Sequence, residues 1–222
     1  SPQDIKYLLD GSTGYLSSAV SVPSILSISP ESKFIILVRD PSEMMISLHR
    51  ERVSEGREKR ISAREAWNQS NISDLDPALN YKLQCKLASQ IKNIQQIIHE
   101  PNLLILSLKE IAEDPENSFD HLINFLDLPN VSYPSFEIHG KAITRKSNAF
   151  QSIIFSLKKL RQKLNIPSIG FGFFKFLERM NTINKKAKLT DPDLVNDLRN
   201  ELKDERNELL KILKNRKRYV LN

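Results

Sequence analysis

An arginine and a serine eight positions apart are the residues of this chain whose types and spacing best suit the binding of an anion. Arg39 carries a planar guanidinium that can donate paired hydrogen bonds to a phosphate, and Ser47 adds a hydroxyl donor. Asp40 and Pro41 predict that a helix starts between them, so Ser47 falls about two turns into that helix, on the side of Asp40. The spacing therefore predicts a phosphate site at the beginning of a helix.

A buried strand and a capped helix must hold these two residues in place. Phe34 to Val38 is a continuous apolar run, which is typical of a strand buried on both faces of a parallel sheet. Asp40 can cap the following helix, Pro41 suits its first position, and Glu43 would complete a capping box. The strand then delivers Arg39 to its carboxyl end, where open α/β sheets bind ligands. The alternative is an ordinary capped helix whose arginine forms a surface ion pair.

The motif R-D-P-x-x-x-x-x-S after an apolar strand resembles the 3′-phosphate-binding motif of sulfotransferases, which use 3′-phosphoadenosine 5′-phosphosulfate (PAPS) as donor. The resemblance implies that Arg39 and Ser47 hold the 3′-phosphate, with 3′-phosphoadenosine 5′-phosphate (PAP) as product and no metal. It implies transfer of a sulfuryl group to a hydroxyl or amine of a carbohydrate, a lipid or a small metabolite. A non-catalytic nucleotide-binding or interaction module that kept the fold is the alternative.

Two further segments resemble parts of the family's substrate clefts. Ser12 and Tyr15 lie in a turn-rich segment similar to the one that lines the acceptor cleft, although an ordinary Gly/Ser turn explains them equally well. Tyr81 matches a family tyrosine that contacts the adenine side of the donor. Its alternative is a tyrosine packed at a helix end with its hydroxyl in water.

A basic loop late in the chain completes the predicted nucleotide site. In the family, a loop before the C-terminal helices brings a basic pair onto the same 3′-phosphate. The resemblance makes Arg145, Lys146 and Ser147 the candidates for this clamp, because they stand at the corresponding place. An exposed loop that happens to contain adjacent basic residues is the alternative.

The order of the elements predicts an α/β fold. A long amphipathic helix is expected from Pro77 to His99 and a second buried strand from Leu103 to Leu106, so two strands are joined through helices as in a βαβ unit. With the resemblance, this implies a P-loop-NTPase-like three-layer sandwich with a central parallel sheet and a helix-rich C-terminal half. We expect a single domain over residues 1–222, with 150–222 as its C-terminal helical part.

The last long helix is predicted to open at Leu189 to Pro192 and to carry one apolar stripe. The stripe consists of Leu194, Leu198, Leu202, Leu209 and Leu213. We expect it to pack onto the parent domain, and a homodimer face is the alternative.

The family's Gly-rich loop of the G-x-x-K-x-G-T-[ST] type is absent from these 222 residues. In the family this loop cradles the 5′-phosphosulfate, and its lysine neutralises charge on the bridging oxygen. The general base, a Glu or His, also usually lies upstream of the segment that contains Tyr15. No catalytic residue is therefore assigned. We expect the chain to be the C-terminal part of a longer enzyme rather than a decayed relative.

The segment from Ser54 to Ala63 is polar and highly charged. In sulfotransferases this region is commonly a mobile flap over the acceptor. For its individual charges, we predict a solvated loop.

A net charge of +6 and a pI near 9.3 could attract nucleic acid, an anionic membrane or a small polyanionic cofactor. Aromatic residues do not alternate with the basic ones as they do in single-strand binders, so no nucleic-acid partner is expected. No apolar run approaches the length of a transmembrane helix, and no zinc spacing occurs. The single cysteine, Cys85, fits a reducing compartment, so a cytoplasmic location is favoured over the Golgi lumen.

Overall fold

The fold contains two parallel strands in the computed structural model, which describes residues 6–60, 62–70, 76–129, 132–133, 144–145, 147–163, 181–183 and 192–216. Strand β1, Phe34–Val38, pairs with β2, Leu103–Ser107, in parallel from Phe34 opposite Leu103 to Val38 opposite Ser107. The described residues of the connection between them form helices and turns, as a parallel pair requires. The predicted α/β class with a parallel sheet is confirmed.

Helices account for most of the other described residues. In chain order they are α1 Ser21–Ile28, α2 Pro41–Glu55, α3 Ala63–Asn68, α4 Tyr81–Gln84, α5 Leu87–Gln95, α6 Leu108–Glu113, α7 Pro115–Phe125, α8 Asn148–Lys163, α9 Pro192–Glu201 and α10 Lys203–Asn215. Short 3-10 turns occupy Pro77–Leu79 and Glu100–Asn102, and a second pair of strands, β3 Thr144–Arg145 and β4 Thr182–Ile183, is antiparallel. Among these helices, none is both long and apolar enough to cross a membrane.

Strand β1 has the predicted bounds, but the prediction that both of its faces are buried is wrong within the described residues. Successive side chains of a strand point to opposite faces. Phe34 and Ile36 pack against the hydrophobic clusters built from α1 and α5, whereas Ile35 and Leu37 on the other face are exposed. The helices cover only one side of β1.

The single long helix predicted from Pro77 to His99 is wrong, because the segment is divided into a 3-10 turn, α4 and α5. Two side chains supply new helix starts. The amide oxygen of Asn80 accepts a hydrogen bond from Leu83 N at 3.0 Å, and the carboxylate of Glu205 accepts one from Ala88 N at 3.0 Å. These acceptors cap the separate first turns that one continuous helix would not have.

The single helix predicted for the C-terminal region is also divided, at Leu202, into α9 and α10. Four of the five leucines of the stripe are buried, and Leu213 is partly buried. Leu198 and Leu202 join a cluster that contains Trp67, while Leu209 joins a different cluster that contains Val38 of β1. Because the helix breaks at Leu202, the leucines of one stripe enter two different hydrophobic clusters. The C-terminal helices therefore pack onto the elements that carry the candidate site.

Candidate functional site

The first turn of α2 is closed by the side chain of Asp40. One carboxylate oxygen accepts hydrogen bonds from Ser42 N at 3.0 Å and Glu43 N at 3.4 Å, with Pro41 at the first helical position. The other oxygen accepts a hydrogen bond from Arg206 Nε of α10 at 2.6 Å. Burial alone raises the pKa of Asp40, but the hydrogen bonds from Ser42 and Arg206 and the charge of Arg206 outweigh it and lower the pKa. An ionised carboxylate of the chain itself therefore occupies this helix N-terminus.

Arg39 lies at the carboxyl end of β1, and its side chain is 34% exposed. Its Nη2 donates to Glu43 Oε2 at 3.2 Å, which is the surface ion pair of the alternative interpretation. The capping box predicted for Glu43 is not formed at α2, because this carboxylate is directed to Arg39 instead of the cap backbone. A pair with this exposure contributes little free energy, so a phosphate can replace Glu43 at low cost.

Ser47 is exposed on α2, seven residues after the cap. At about 1.5 Å of rise per residue, it lies about 10 Å along the helix from Asp40, on the same side. Met45, Ile46 and His49 are buried on the opposite side against the core. The helix thus presents Ser47 outward, beyond the end of the strand from which Arg39 projects.

The segment that contains Ser12 and Tyr15 is closed by its own hydrogen bonds. The hydroxyl of Tyr15 donates to the carboxylate of Asp10, and this bond raises the pKa of Tyr15. Ser12 Oγ accepts a hydrogen bond from Gly14 N at 3.2 Å. Leu16, which follows Tyr15, packs against the cluster that contains Val38, the residue before Arg39. The core therefore ties the predicted acceptor segment to the predicted nucleotide segment.

Tyr81 is completely buried, so the alternative of a hydroxyl in water is wrong. Its hydroxyl donates to Glu58 Oε2 at 3.0 Å, and its ring meets the ring of His49 edge-on at 6.1 Å between centroids. Burial and the neighbouring carboxylate raise the pKa of Tyr81, so the hydroxyl stays protonated as a donor. A contact between Tyr81 and adenine stays a prediction, and it would require this buried arrangement to open.

Glu58 is buried, which contradicts the prediction of a solvated loop for the charges of residues 54–63. Its carboxylate accepts hydrogen bonds from Arg60 Nη2 at 2.8 Å, Arg60 Nε at 2.9 Å and Arg60 N at 2.9 Å, besides that of Tyr81. These donors compensate for the lost hydration of the carboxylate. His49 Nε2 donates to the carbonyl oxygen of Arg60 at 2.9 Å. The loop is thereby joined to α2 and α4.

The predicted basic clamp lies only partly within the described residues. The backbone of Arg145 pairs with Thr182, but the Arg145 side chain and Lys146 lie outside them. Ser147 Oγ accepts a hydrogen bond from Phe150 N at 3.2 Å at the start of α8. The first turn of α8 packs closely on Gly56, at the carboxyl end of α2, about 13 Å along the helix from Ser47. The clamp on the phosphate stays a prediction.

Comparison with known protein families shows which family this chain belongs to. A family model described as a sulfotransferase domain matches residues 19–157, which is more than half of the chain. The chain belongs to the sulfotransferase family. The crystal structure of a sulfotransferase from Alicyclobacillus acidocaldarius matches with a TM-score of 0.51 and 19% identity, over 74% of this chain and 66% of that one. A comparison with curated proteins gave no match.

At this low identity, the likeness to the bacterial sulfotransferase concerns the fold alone, and it confirms the predicted P-loop-like α/β architecture. The match spans slightly less than two thirds of that protein's length. The family model covers β1, α2, β2 and most of α8, so Arg39, Ser47 and Ser147 all lie within the matched region. Sulfotransferases transfer sulfuryl groups, and Ser12 and Tyr15 lie outside the matched region.

Three charged residues of this chain have roles that the sequence patterns did not indicate. Arg206 bonds to a carboxylate 166 residues away, and no local pattern signals such a contact. Glu58 and Arg60 are two residues apart in a charged loop, where the same letters also suit a solvated surface. Over the described ranges, no group of three or more His, Cys, Asp or Glu residues is arranged to hold a metal ion.

Proposed function

We propose that this chain binds PAPS through the 3′-phosphate of the nucleotide and serves sulfuryl transfer to a hydroxyl or amine of an acceptor. The observation that carries the proposal is the position of Arg39 at the carboxyl end of a parallel strand, where its side chain is partly exposed and, among the described residues, forms a surface pair with Glu43. Membership of the sulfotransferase family supports the same reading. PAPS, when bound, would supply the sulfuryl group.

The residues of this chain would hold the nucleotide rather than make or break bonds. Arg39 would exchange the carboxylate of Glu43 for the 3′-phosphate, and the hydroxyl of Ser47 would donate to the same group. Asp40 and Arg206 keep the first turn of α2 rigid, so that the strand end and helix start stay aligned. The clamp by Arg145, Lys146 and Ser147, and the acceptor contacts of Ser12 and Tyr15, belong to the same proposal.

We also propose that residues 1–222 form one domain. The C-terminal helices share a hydrophobic cluster with α2, α3 and α4 through Leu194 and Leu198, which pack with Met45 and Trp67. Trp67 Nε1 donates to Glu201 Oε2 at 2.7 Å across the same boundary. A separate C-terminal unit would not need to contribute to that core.

The nucleotide site is tested by calorimetric titration with PAP and with adenosine 5′-phosphate, which lacks the 3′-phosphate. We expect PAP to bind about 10- to 100-fold more tightly, which is the value of hydrogen bonds between charged groups. Arg39→Ala should remove this preference. The matched control is Arg64→Ala, because Arg64 forms a surface pair with Asp197 at 2.6 Å. Equal affinity for the two nucleotides in the unaltered protein would reject the roles of Arg39 and Ser47.

Glu43→Gln should strengthen PAP binding by about 2- to 5-fold, because it removes the carboxylate that competes for Arg39 at the scale of a surface ion pair. The affinity for adenosine 5′-phosphate should not change. Glu113→Gln provides the control, since Glu113 pairs with Lys109 at 3.7 Å in an equivalent i,i+4 arrangement on α6. Unchanged PAP affinity in Glu43→Gln would argue against an exchange of partners at Arg39.

A further inference from the structure

The side chain of Asn181 is bound to the backbone of the residue that precedes α8. Ser147 N donates to Asn181 Oδ1 at 2.8 Å, and Asn181 Nδ2 donates to the carbonyl oxygen of Ser147 at 2.8 Å. A carboxamide carries an acceptor and a donor side by side, so one side chain can bind both polar groups of a backbone residue. Asn181 is 3% exposed, whereas Ser147 is exposed. Ser147 is therefore held by Asn181 and not by its own burial.

The segment that contains Asn181 is joined to the same part of the chain a second time. Strand β4 follows Asn181 directly and pairs antiparallel with β3, with Thr182 opposite Arg145. The backbone is thus fixed at Arg145 by the strand pair and at Ser147 by the side chain of Asn181. Lys146 is the one residue between these two positions in the sequence. The basic pair of the predicted clamp is therefore bounded by two contacts with one short segment.

Asn181 also connects Ser147 to the place where α8 packs on α2. Its Nδ2 donates to Gln151 Oε1 at 3.2 Å, and Gln151 is 1% exposed. A Cβ added at Gly56 of α2 would lie 2.6 Å from the carbonyl carbon and oxygen of Gln151, so the two helix backbones are in direct contact there. Because α2 carries Ser47, the hydrogen bonds of Asn181 fix the start of α8 relative to a predicted ligand of the 3′-phosphate.

We propose that Asn181 is a positioning residue for the nucleotide, which holds the backbone beside Arg145 and Lys146 so that this basic pair closes on the 3′-phosphate. Asn181 itself does not touch the nucleotide and acts through the backbone of Ser147. Two long basic side chains on a backbone that is already fixed lose less conformational freedom when the phosphate binds. The inference rests on the proposed function, since it concerns the clamp of that same site.

A purely structural role for Asn181 is the competing explanation. A buried carboxamide with these three hydrogen bonds would stabilise the start of α8 in a protein that binds no nucleotide at all. The two roles differ in one measurable quantity. The preference for PAP over adenosine 5′-phosphate depends on the groups that contact the 3′-phosphate, so a structural role lowers the free energy of unfolding and leaves this preference unchanged.

The test is calorimetric titration of Asn181→Ala with both nucleotides. We expect the affinity for PAP to fall about tenfold, the scale of one hydrogen bond to a charged group, and the affinity for adenosine 5′-phosphate to stay within about twofold. Ser118→Ala is the matched control, because it removes a buried hydroxyl that donates to the backbone carbonyl of Asp114 at 2.8 Å on α7. The control should leave both affinities within about twofold. An unchanged preference in Asn181→Ala would overturn this inference alone.

A coupling measurement shows whether Asn181 acts through the basic pair. In the double variant Arg145→Ala with Lys146→Ala, the further change Asn181→Ala should weaken PAP binding by less than about twofold, because the groups that it positions are gone. A loss by the same factor with and without the basic pair would overturn the inference. So would unchanged PAP affinity in the double variant, which leaves the role of Arg39 intact. Equal affinity of the unaltered protein for the two nucleotides would reject the nucleotide site and this inference together.

Nitrogen-15 NMR of the unaltered protein gives a measurement that does not depend on the folding of a variant. The backbone amide of Ser147 and the side-chain amide of Asn181 donate the paired hydrogen bonds. Both signals should shift on addition of PAP and stay in place with adenosine 5′-phosphate. Signals that ignore PAP, or that respond equally to both nucleotides, would contradict the positioning role.

Discussion

Glu58→Ala is expected to lower the free energy of unfolding by about 3 kcal/mol, at the lower end of the range for a broken buried ion pair. The glutamate carboxylate is 2% exposed and receives hydrogen bonds from Arg60 and from the hydroxyl of Tyr81. Its removal leaves the Tyr81 hydroxyl buried without a partner and the Arg60 guanidinium without a counter-charge. Arg60 is 13% exposed and can turn to water, which limits the loss.

Urea unfolding followed by circular dichroism measures this loss. Glu113→Ala is the control, because its pair with Lys109 is largely exposed and should be worth less than about 0.5 kcal/mol. Tyr81→Phe should cost about 1 kcal/mol, the value of one hydrogen bond. A loss in Glu58→Ala as small as in Glu113→Ala would mean that the loop is not held by this contact.

The pH dependence of the same difference provides an independent check. Burial by itself raises the pKa of Glu58, but the hydrogen bonds from Arg60 and Tyr81 outweigh burial, and the pKa falls below its ordinary value of 4.5. A carboxylate whose pKa is lower in the folded than in the unfolded protein stabilises the folded state. This stabilisation is complete above the pKa of the unfolded protein, and it is lost as the pH falls through the pKa of the folded protein. The stability difference between the unaltered protein and Glu58→Ala should therefore shrink below about pH 4.5.

The elements that hold Arg39 could be predicted because their signals are local. The apolar run of β1 has the bounds that the structure shows, and Asp40 caps α2 through amides two and three residues ahead. Each of these contacts spans only a few residues, so the local sequence was sufficient to predict the strand and the start of the helix. The family motif added the candidate phosphate-binding residues to this prediction, because Arg39 and Ser47 lie on those same two elements.

The separate start of α5 could not be predicted, because the group that caps it comes from a distant part of the chain. Glu205 accepts the hydrogen bond of Ala88 N from 117 residues away. Periodicity of leucine and isoleucine in 77–99 reports only which side is apolar, and that side is buried at Leu87 and Ile91. It carries no information on where a carboxylate from α10 interrupts the backbone hydrogen bonds.

The burial of Glu58 was not predicted for a different reason. A glutamate between two basic residues in a polar loop is read as solvated, because burial of a carboxylate is costly without several donors. Here the loop folds back so that Arg60 supplies three of those donors and Tyr81, 23 residues later, supplies the fourth. The compensation depends on the tertiary fold, so composition alone gives the wrong environment.

Gly56→Ala is expected to destabilise the protein by about 2–5 kcal/mol, from two causes that add. Gly56 ends α2 in the left-handed region, at φ 78° and ψ 12°, which costs a residue with a Cβ roughly 1–2 kcal/mol. A Cβ at this position would also lie 2.6 Å from the carbonyl carbon and oxygen of Gln151. These are backbone atoms of α8, so the helix itself has to move away from α2.

Gly56→Asn separates the two causes, because asparagine tolerates the left-handed region yet still carries a Cβ. If the contact with α8 dominates, Asn should be nearly as damaging as Ala, and the amides of α8 should exchange hydrogen faster in both variants. Gly11→Ala is the control, since no atom lies within 4 Å of the added carbon, and its effect should stay within about 0.5 kcal/mol. Recovery of stability in Gly56→Asn would instead assign the cost to the backbone conformation. It would also mean that α8 tolerates the added Cβ, although the backbone of Gln151 lies close to Gly56.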